Sequence, residues 1–137
     1  MNKEKLERSR FVFNNFPEYV AAIIQDKKGR ILVSQRSLNS KKYPGKWQVP
    51  GGKVENSENC LTSLKREIKE ETDLEVVLIG NLLLKWFNVS IYQIEVAGKP
   101  RVMEPSKVNS EWFYVEIKEL QKKDLVPALA ELLKQFS

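Results

Sequence analysis

One long amphipathic helix directly behind a glycine-rich loop constrains the fold of this chain more than any other feature. The helix is predicted over residues 58–72, with Ser57 as its N-cap. Its apolar stripe has the three- and four-residue spacing of a buried helical face, with members Leu61, Leu64 and Ile68. The loop in front of it is Pro50-Gly51-Gly52, a strong turn signal. A helix of this kind needs an apolar surface to cover, and the rest of the chain must supply it.

Segments rich in β-branched, leucine and aromatic residues surround this helix and predict that surface to be a sheet. The first two should form a hairpin around the turn at residues 26–29, which ends in a glycine. A closing amphipathic helix is predicted over residues 125–136, with Pro127 in its first turn. Strands and separated helices together predict an α/β or α+β fold. The predicted strands are residues 18–25, 30–35, 46–49, 75–79, 82–87, 90–96 and 111–115.

Size and composition limit both the architecture and the chemistry. The 137 residues, 42% of them hydrophobic, suffice for one domain with its own core, which we assign to residues 1–137. Residues 1–16 are predicted to be a charged N-terminal arm or helix. The absence of histidine excludes an imidazole base and a histidine-ligated zinc, and the single cysteine excludes thiolate clusters and disulfides. Carboxylate, lysine, tyrosine or serine chemistry remains.

Charge and hydropathy bear on partners and location. The net charge of +5 is compatible with a polyanionic partner without identifying one. Basic residues occur in small groups, which is also typical of an ordinary solvated surface. No apolar stretch approaches the roughly 20 residues of a membrane span, and the first 16 residues lack the apolar centre of a signal peptide. We therefore expect a soluble, cytoplasmic protein with no membrane partner.

Three acids on the predicted helix point to specific chemistry. Glu67, Glu70 and Glu71 lie within about a 100° arc of the helix surface. At about 5 Å separation and an effective dielectric near 20, each pair repels by roughly 3 kcal/mol. Arg66 can reach Glu70 four residues later, whereas Lys69 points to another side. A bare acidic helix face can be balanced by surface cations, but a hard divalent ion such as Mg²⁺ suits these oxygen ligands best.

The wider spacing around these acids resembles the signature of the Nudix hydrolases. Gly52 is followed after five residues by Glu58, and after seven more by the run from Arg66 to Glu71. Every fixed position of that signature agrees except Asp73, where the family has glycine. The glycine follows the helix end, where a positive φ is common, and Asp tolerates that conformation better than most residues.

The resemblance implies the Nudix fold, a mixed β-sheet sandwiched between helices (α/β/α), in which the motif forms a loop, a helix and a loop. It also implies a Mg²⁺-dependent hydrolase, with Mn²⁺ as a substitute, that cleaves a diphosphate. Glu58 would support the acids, Arg66 would orient Glu67 or its neighbours, and the catalytic base would be Glu67 or Glu71. The implied metal ligands are the Gly51 carbonyl, Glu67, Glu70, Glu71 and, as in MutT-like members, Glu104.

Residues 45–55 look like the corresponding stretch of MutT-type nucleoside triphosphate pyrophosphohydrolases. On this basis we expect cleavage of a nucleoside triphosphate to the monophosphate and pyrophosphate. Arg36 and Lys53 are the candidate phosphate contacts, and Trp47 is a candidate for stacking on the base. Leu129 stands where oxidised-guanine specialists carry an amide. The alternatives are an RNA 5′ end (cap or triphosphate), a nucleotide-sugar substrate, and a non-catalytic nucleotide-binding module.

Overall fold

Seven strands and three α-helices make up residues 17–136, the part of the chain that this computed structural model describes. The prediction of a charged arm or helix at residues 1–16 lies outside it. Two short 3₁₀ helices, Pro105–Lys107 and Lys134–Phe136, complete the described part. The strands are β1 (Tyr19–Ile24), β2 (Ile31–Gln35), β3 (Trp47–Gln48), β4 (Gly51–Lys53), β5 (Glu75–Trp86), β6 (Val89–Ala97) and β7 (Phe113–Val115). The helices are α1 (Cys60–Thr72), α2 (Ile117–Leu120) and α3 (Pro127–Leu133).

The strands form two sheets. The larger sheet has the order β4-β1-β6-β5, and the smaller has the order β3-β2-β7. In the larger sheet β1 runs parallel to β6 and antiparallel to β4, so the sheet is mixed. All pairings in the smaller sheet are antiparallel.

Two apolar cores lie on opposite faces of the strand layer, because successive side chains of a strand point to opposite faces. In β1, Ala22 and Ile24 pack toward α1, whereas Ile23 packs toward α3. The predicted stripe of α1 is buried at Leu64 and Ile68, although Leu61 is exposed. Helices therefore cover the strands on both faces, and the predicted α/β/α arrangement is confirmed.

The predicted hairpin between the first two strands is wrong, although the turn itself forms. Asp26 accepts a hydrogen bond from the Gly29 amide, and Gly29 has a φ of 80°. Beyond one isolated bridge from Gln25 to Ile31, β1 and β2 separate into different sheets. β1 pairs instead with β4 and β6, and β2 with β3 and β7, so the ladder is not continued beyond that bridge.

Several strand boundaries also differ from the predictions. The glycines predicted as a loop form strand β4, which pairs with β1 at Val20↔Gly52. The two strands predicted within residues 75–87 are one twelve-residue strand, with a register shift between Ile79 and Leu82 where the predicted strands were separate. The last predicted strand is shorter and begins at Phe113.

The observed ends of α1 and α3 differ in part from the predicted ones. Helix α1 begins two residues later than predicted, because Asn59 and not Ser57 accepts the capping hydrogen bond from the Thr62 amide, at 2.8 Å. It ends at Asp73 with a φ of 65°, the left-handed conformation expected where the family has glycine. Pro127 lies in the first turn of α3, as predicted, but the α-helix begins at this residue, two residues later than predicted. It ends at Leu133 and continues only as a 3₁₀ turn.

Candidate active site

Strand β4 brings the two glycines against the acidic face of α1. The Gly51 amide donates to Glu71 Oε1 at 2.8 Å. A β-carbon on Gly52 would collide with the Glu67 carboxylate, and one on Gly51 would collide with the Val20 carbonyl of β1. Only glycine permits the close approach of Gly51 to β1 and of Gly52 to α1. The structure thus brings Gly51, Glu67 and Glu71 together, as the sequence predicted.

Arg66 holds the remaining acids. Its Nε donates to both carboxylate oxygens of Glu58 at 3.0 Å, and Ser63 adds a bond to the same carboxylate at 2.8 Å. Its Nη1 lies 2.9 Å from Glu67 Oε1 and 3.1 Å from Glu70 Oε2. These bonds fix the carboxylates of Glu58, Glu67 and Glu70 relative to one another, and the orienting role of Arg66 in the reaction remains a prediction. Glu58 lies before the helix, so its carboxylate is free to receive the guanidinium.

The pKa values of these acids shift in different directions, upward for Glu71 and Glu67 and downward for Glu58. Burial raises the pKa of Glu71 to about 8; the charges of Glu67 and Glu104 add to the rise, and the Gly51 amide opposes it. Burial also raises the pKa of Glu67, against the hydrogen bond from Arg66. The Arg66 hydrogen bond lowers the pKa of Glu58. Strongly shifted carboxyl groups of this kind are typical of functional sites.

Glu104 lies in the segment between β6 and β7, at the N-cap position of the 3₁₀ helix Pro105–Lys107, without a side-chain capping hydrogen bond. Its charge helps to raise the pKa of Glu71. Its carboxylate forms an ion pair of 2.6 Å with Lys107. The sequence pattern indicated the acid but not the lysine, because a lone loop lysine has no recognisable spacing.

The residues fit a hard divalent cation by their chemistry, since all candidate side-chain donors are carboxylate oxygens. The Pro50 carbonyl accepts a bond from the Ala22 amide of β1, and the Val54 amide donates to the Glu18 carbonyl just before β1. Because bonding alternates along an antiparallel strand, the N–H and C=O groups of Gly51 and Lys53 point away from β1. The Gly51 carbonyl therefore faces the same side as its amide, toward α1. Among residues 17–136, no three acidic or cysteine side chains are already grouped around an ion position. Arg66 engages Glu67 and Glu70.

A cavity of about 260 Å³ adjoins the acids across β4. Gly51 and Gly52 belong to both features, since they line the cavity and contact the carboxylates. Arg36 lies at the cavity wall, where Nε donates to the Lys42 carbonyl and Nη1 donates to Gln48 Oε1, each at 2.9 Å. The remaining lining is mostly aromatic and apolar and includes Tyr19, Tyr43, Trp86, Val126 and Leu129.

The other two candidate substrate contacts lie elsewhere. The Lys53 side chain is exposed on β4, outside the residues that line the cavity, while its backbone carbonyl accepts a bond from Arg66 at 3.3 Å. Trp47 packs against the hydrophobic core, and the Lys123 ammonium lies 4.5 Å from its ring centroid. Trp47 does not line the cavity, which disfavours its stacking on a base there. Tyr19 and Gln48 line the cavity instead, and both could be recognised only from the fold.

Comparison with known proteins agrees with this geometry. Residues 15–136 match the family described as the NUDIX domain. The chain belongs to the Nudix family. Among its relatives, the CTP pyrophosphohydrolase of Escherichia coli is 39% identical over 82 residues, covering 60% of this chain and 54% of the relative. The 8-oxo-dGTP diphosphatase of Proteus vulgaris is 39% identical over 56 residues, covering 41% and 49%.

The fold of the chain is also similar to that of a solved structure over most of its length. The MutT Nudix hydrolase of Burkholderia pseudomallei superposes with a TM-score of 0.69 at 27% identity, covering 88% of this chain and 98% of that one. The chain therefore resembles the MutT-like branch in fold as well as in sequence. It spans only about half of the length of the two relatives that it matches in sequence. None of the helices in residues 17–136 is long and apolar enough to cross a membrane.

Proposed function

We propose that this Nudix protein is a divalent-metal-dependent pyrophosphohydrolase that converts a nucleoside triphosphate into the monophosphate and pyrophosphate. The observation that carries the proposal is the double role of the two glycines. Gly51 and Gly52 contact Glu71 and Glu67 on one side and line the cavity on the other. A nucleoside in the cavity would therefore place its phosphates over the carboxylates.

The metal ligands in this proposal are the Gly51 carbonyl, Glu67, Glu70, Glu71 and Glu104. A bound Mg²⁺ or Mn²⁺ neutralises phosphate charge and makes water a better nucleophile. The protein's own part is to hold these oxygens in place. Arg66 fixes Glu67 and Glu70, and Glu58 with Ser63 fixes Arg66.

The catalytic base in this proposal is Glu67 or Glu71, since the chain has no histidine. Glu71 Oε1 is occupied by the Gly51 amide, so Oε2 is the atom that would take a proton. Burial raises the pKa of Glu71, whereas a divalent ion bound beside it would lower that pKa and keep the carboxylate ionised.

Arg36 is the proposed phosphate contact at the cavity wall. Its guanidinium keeps a fixed orientation through the Lys42 carbonyl and Gln48. Lys53, whose side chain lies outside the cavity lining, remains a prediction for the same role. Base recognition falls to the aromatic lining and to Leu129, which offers no hydrogen bond, so nothing at that position favours oxidised guanine over other bases.

The direct test is a panel of nucleoside di- and triphosphates with Mg²⁺ or Mn²⁺ and separate detection of phosphate and pyrophosphate. We expect pyrophosphate and a nucleoside monophosphate from at least one triphosphate. Failure to turn over any member of the panel would contradict the proposal. Glu70→Gln should lower kcat, and unchanged hydrolysis would refute the ligand assignment.

An RNA 5′ end is the second candidate, favoured by the net charge of +5. In that case binding to RNA should weaken steeply with salt, because cations on the protein displace counterions from the backbone. Comparing a nucleoside triphosphate with a triphosphorylated oligonucleotide, at two salt concentrations, separates the two substrates.

A further inference from the structure

Lys107 is a cation beside the acidic cluster for which the proposed hydrolysis has no role. It ends the 3₁₀ helix Pro105–Lys107, and its Nζ lies 2.6 Å from Glu104 Oε2. The acid it binds is one of the proposed metal ligands. An ammonium so close to that carboxylate competes for the same negative charge as a divalent ion.

The backbone around Lys107 is tied to the end of β2. The Lys107 carbonyl accepts a bond from the Ser37 amide at 3.1 Å, and the Asn109 amide donates to the Gln35 carbonyl at 2.8 Å. A bridge joins Arg36 to Val108 between them. The Lys107 backbone is therefore held in place by these bonds. It lies next to Arg36, which lines the cavity.

Among residues 17–136, the ion pair with Glu104 is the contact through which Lys107 joins the acids. The side chain is 67% exposed, so its ammonium can move without disturbing the core.

We propose that Lys107 is a tethered counter-cation of the carboxylate cluster, which opposes divalent-ion binding to the free protein and contacts the polyphosphate of the bound nucleotide. The inference rests on the proposed function. Without substrate, the Lys107 ammonium repels a divalent ion that binds to the same carboxylate, that of Glu104. With substrate, the additional negative charge of the polyphosphate gives the displaced ammonium a partner.

The test compares Lys107→Met, which removes the charge at similar length, with Lys107→Arg, which keeps it. Lys118→Met, at an exposed position on α2, is the matched control. Mn²⁺ binding is measured by calorimetry on the nucleotide-free protein, and KM and kcat are measured at saturating Mg²⁺. For Lys107→Met we expect Mn²⁺ to bind about three- to tenfold more tightly and KM to rise by a similar factor, with a smaller change in kcat.

Lys107→Arg should stay within twofold of the wild type in both measurements, and Lys118→Met should change neither. Unchanged or weaker Mn²⁺ binding in Lys107→Met would overturn the inference, as would an unchanged KM. The calorimetric measurement keeps the two proposals distinguishable. A wild-type protein that binds no Mn²⁺ contradicts the proposed function, whereas wild-type binding that Lys107→Met does not alter contradicts the role of Lys107 alone.

Discussion

At the scale of single residues, the guanidinium of Arg66 joins the parts of the acidic site. It contacts three carboxylates, those of Glu58, Glu67 and Glu70, and one backbone carbonyl, that of Lys53. A planar fork with five N–H donors can satisfy so many acceptors, whereas an ammonium provides three donors from a single point.

Arg66→Lys should therefore separate charge from geometry. We expect kcat to fall at least about tenfold while the protein stays folded, with a loss of about 1–2 kcal/mol in unfolding free energy. Steady-state kinetics and urea denaturation measure the two effects. Lys65→Arg, the reverse exchange at the exposed neighbouring position, is the control and should alter neither; wild-type kcat in Arg66→Lys would refute the orienting role.

The two glycines of β4 should respond differently to the same added methyl group. In Gly51→Ala the β-carbon meets the Val20 carbonyl, which belongs to a paired strand and cannot move freely. In Gly52→Ala it meets the end of the Glu67 side chain, which can turn aside.

We therefore expect Gly51→Ala to lower the unfolding free energy by about 2–4 kcal/mol, as other overpacked or strained positions do. Gly52→Ala should lose less stability but most of its activity, because Glu67 is displaced. Thermal denaturation together with kcat shows the contrast. Equal effects of both substitutions on stability would argue against this account of β4.

At the scale of elements, helix α1 shows how a small change in capping decides a boundary. Both Ser57 and Asn59 are good N-cap residues, and only the structure shows that Asn59 accepts the bond from the Thr62 amide. The later start leaves Glu58 outside the helix, where its carboxylate meets Arg66.

Asn59→Ala should lower the unfolding free energy by about 1 kcal/mol, whereas Ser57→Ala should change it by less than about 0.5 kcal/mol. Chemical denaturation of the two variants under identical conditions makes the comparison. A larger loss in Ser57→Ala than in Asn59→Ala would place the cap at the position first predicted from the sequence.

At the scale of the whole molecule, the burial of Glu71 links stability to pH. Its pKa is raised from 4.5 to about 8 on folding, so the unfolded chain releases this proton at lower pH than the folded protein does. The contribution of Glu71 to stability is complete below pH 4.5, decreases as the pH rises, and is lost above about pH 8.

Glu71→Gln retains an acceptor for the Gly51 amide and removes the charge. Without divalent ions, we expect the variant to be more stable than the wild type at pH 8.5, by on the order of 2 kcal/mol, and nearly equal at pH 4.5. Hydrolysis should be lost. Urea denaturation at both pH values tests this, and equal stability at pH 8.5 would show that Glu71 is charged at no cost in the folded protein.

The site could be predicted from the sequence to the extent that it lies within one helix. The angular spacing of Glu67, Glu70 and Glu71, and the proximity of Arg66 to Glu70, follow from helical geometry alone. That Gly51 and Gly52 form a strand could not be foreseen, because the strand exists only through its pairing with β1, a distant segment. The stacking prediction for Trp47 found no support for the same reason, since its surroundings come from distant segments.

The sequence by itself determined the position of the acidic helix, the left-handed turn at Asp73 and the exclusion of histidine chemistry. These depend on residue types and on neighbours within a few turns. The tertiary structure alone decided which strands pair, where the cavity lies and that the Gly51 amide meets Glu71. Each of these joins segments far apart in the chain, and such contacts are selected by the burial of apolar faces and the pairing of strand edges over the whole molecule.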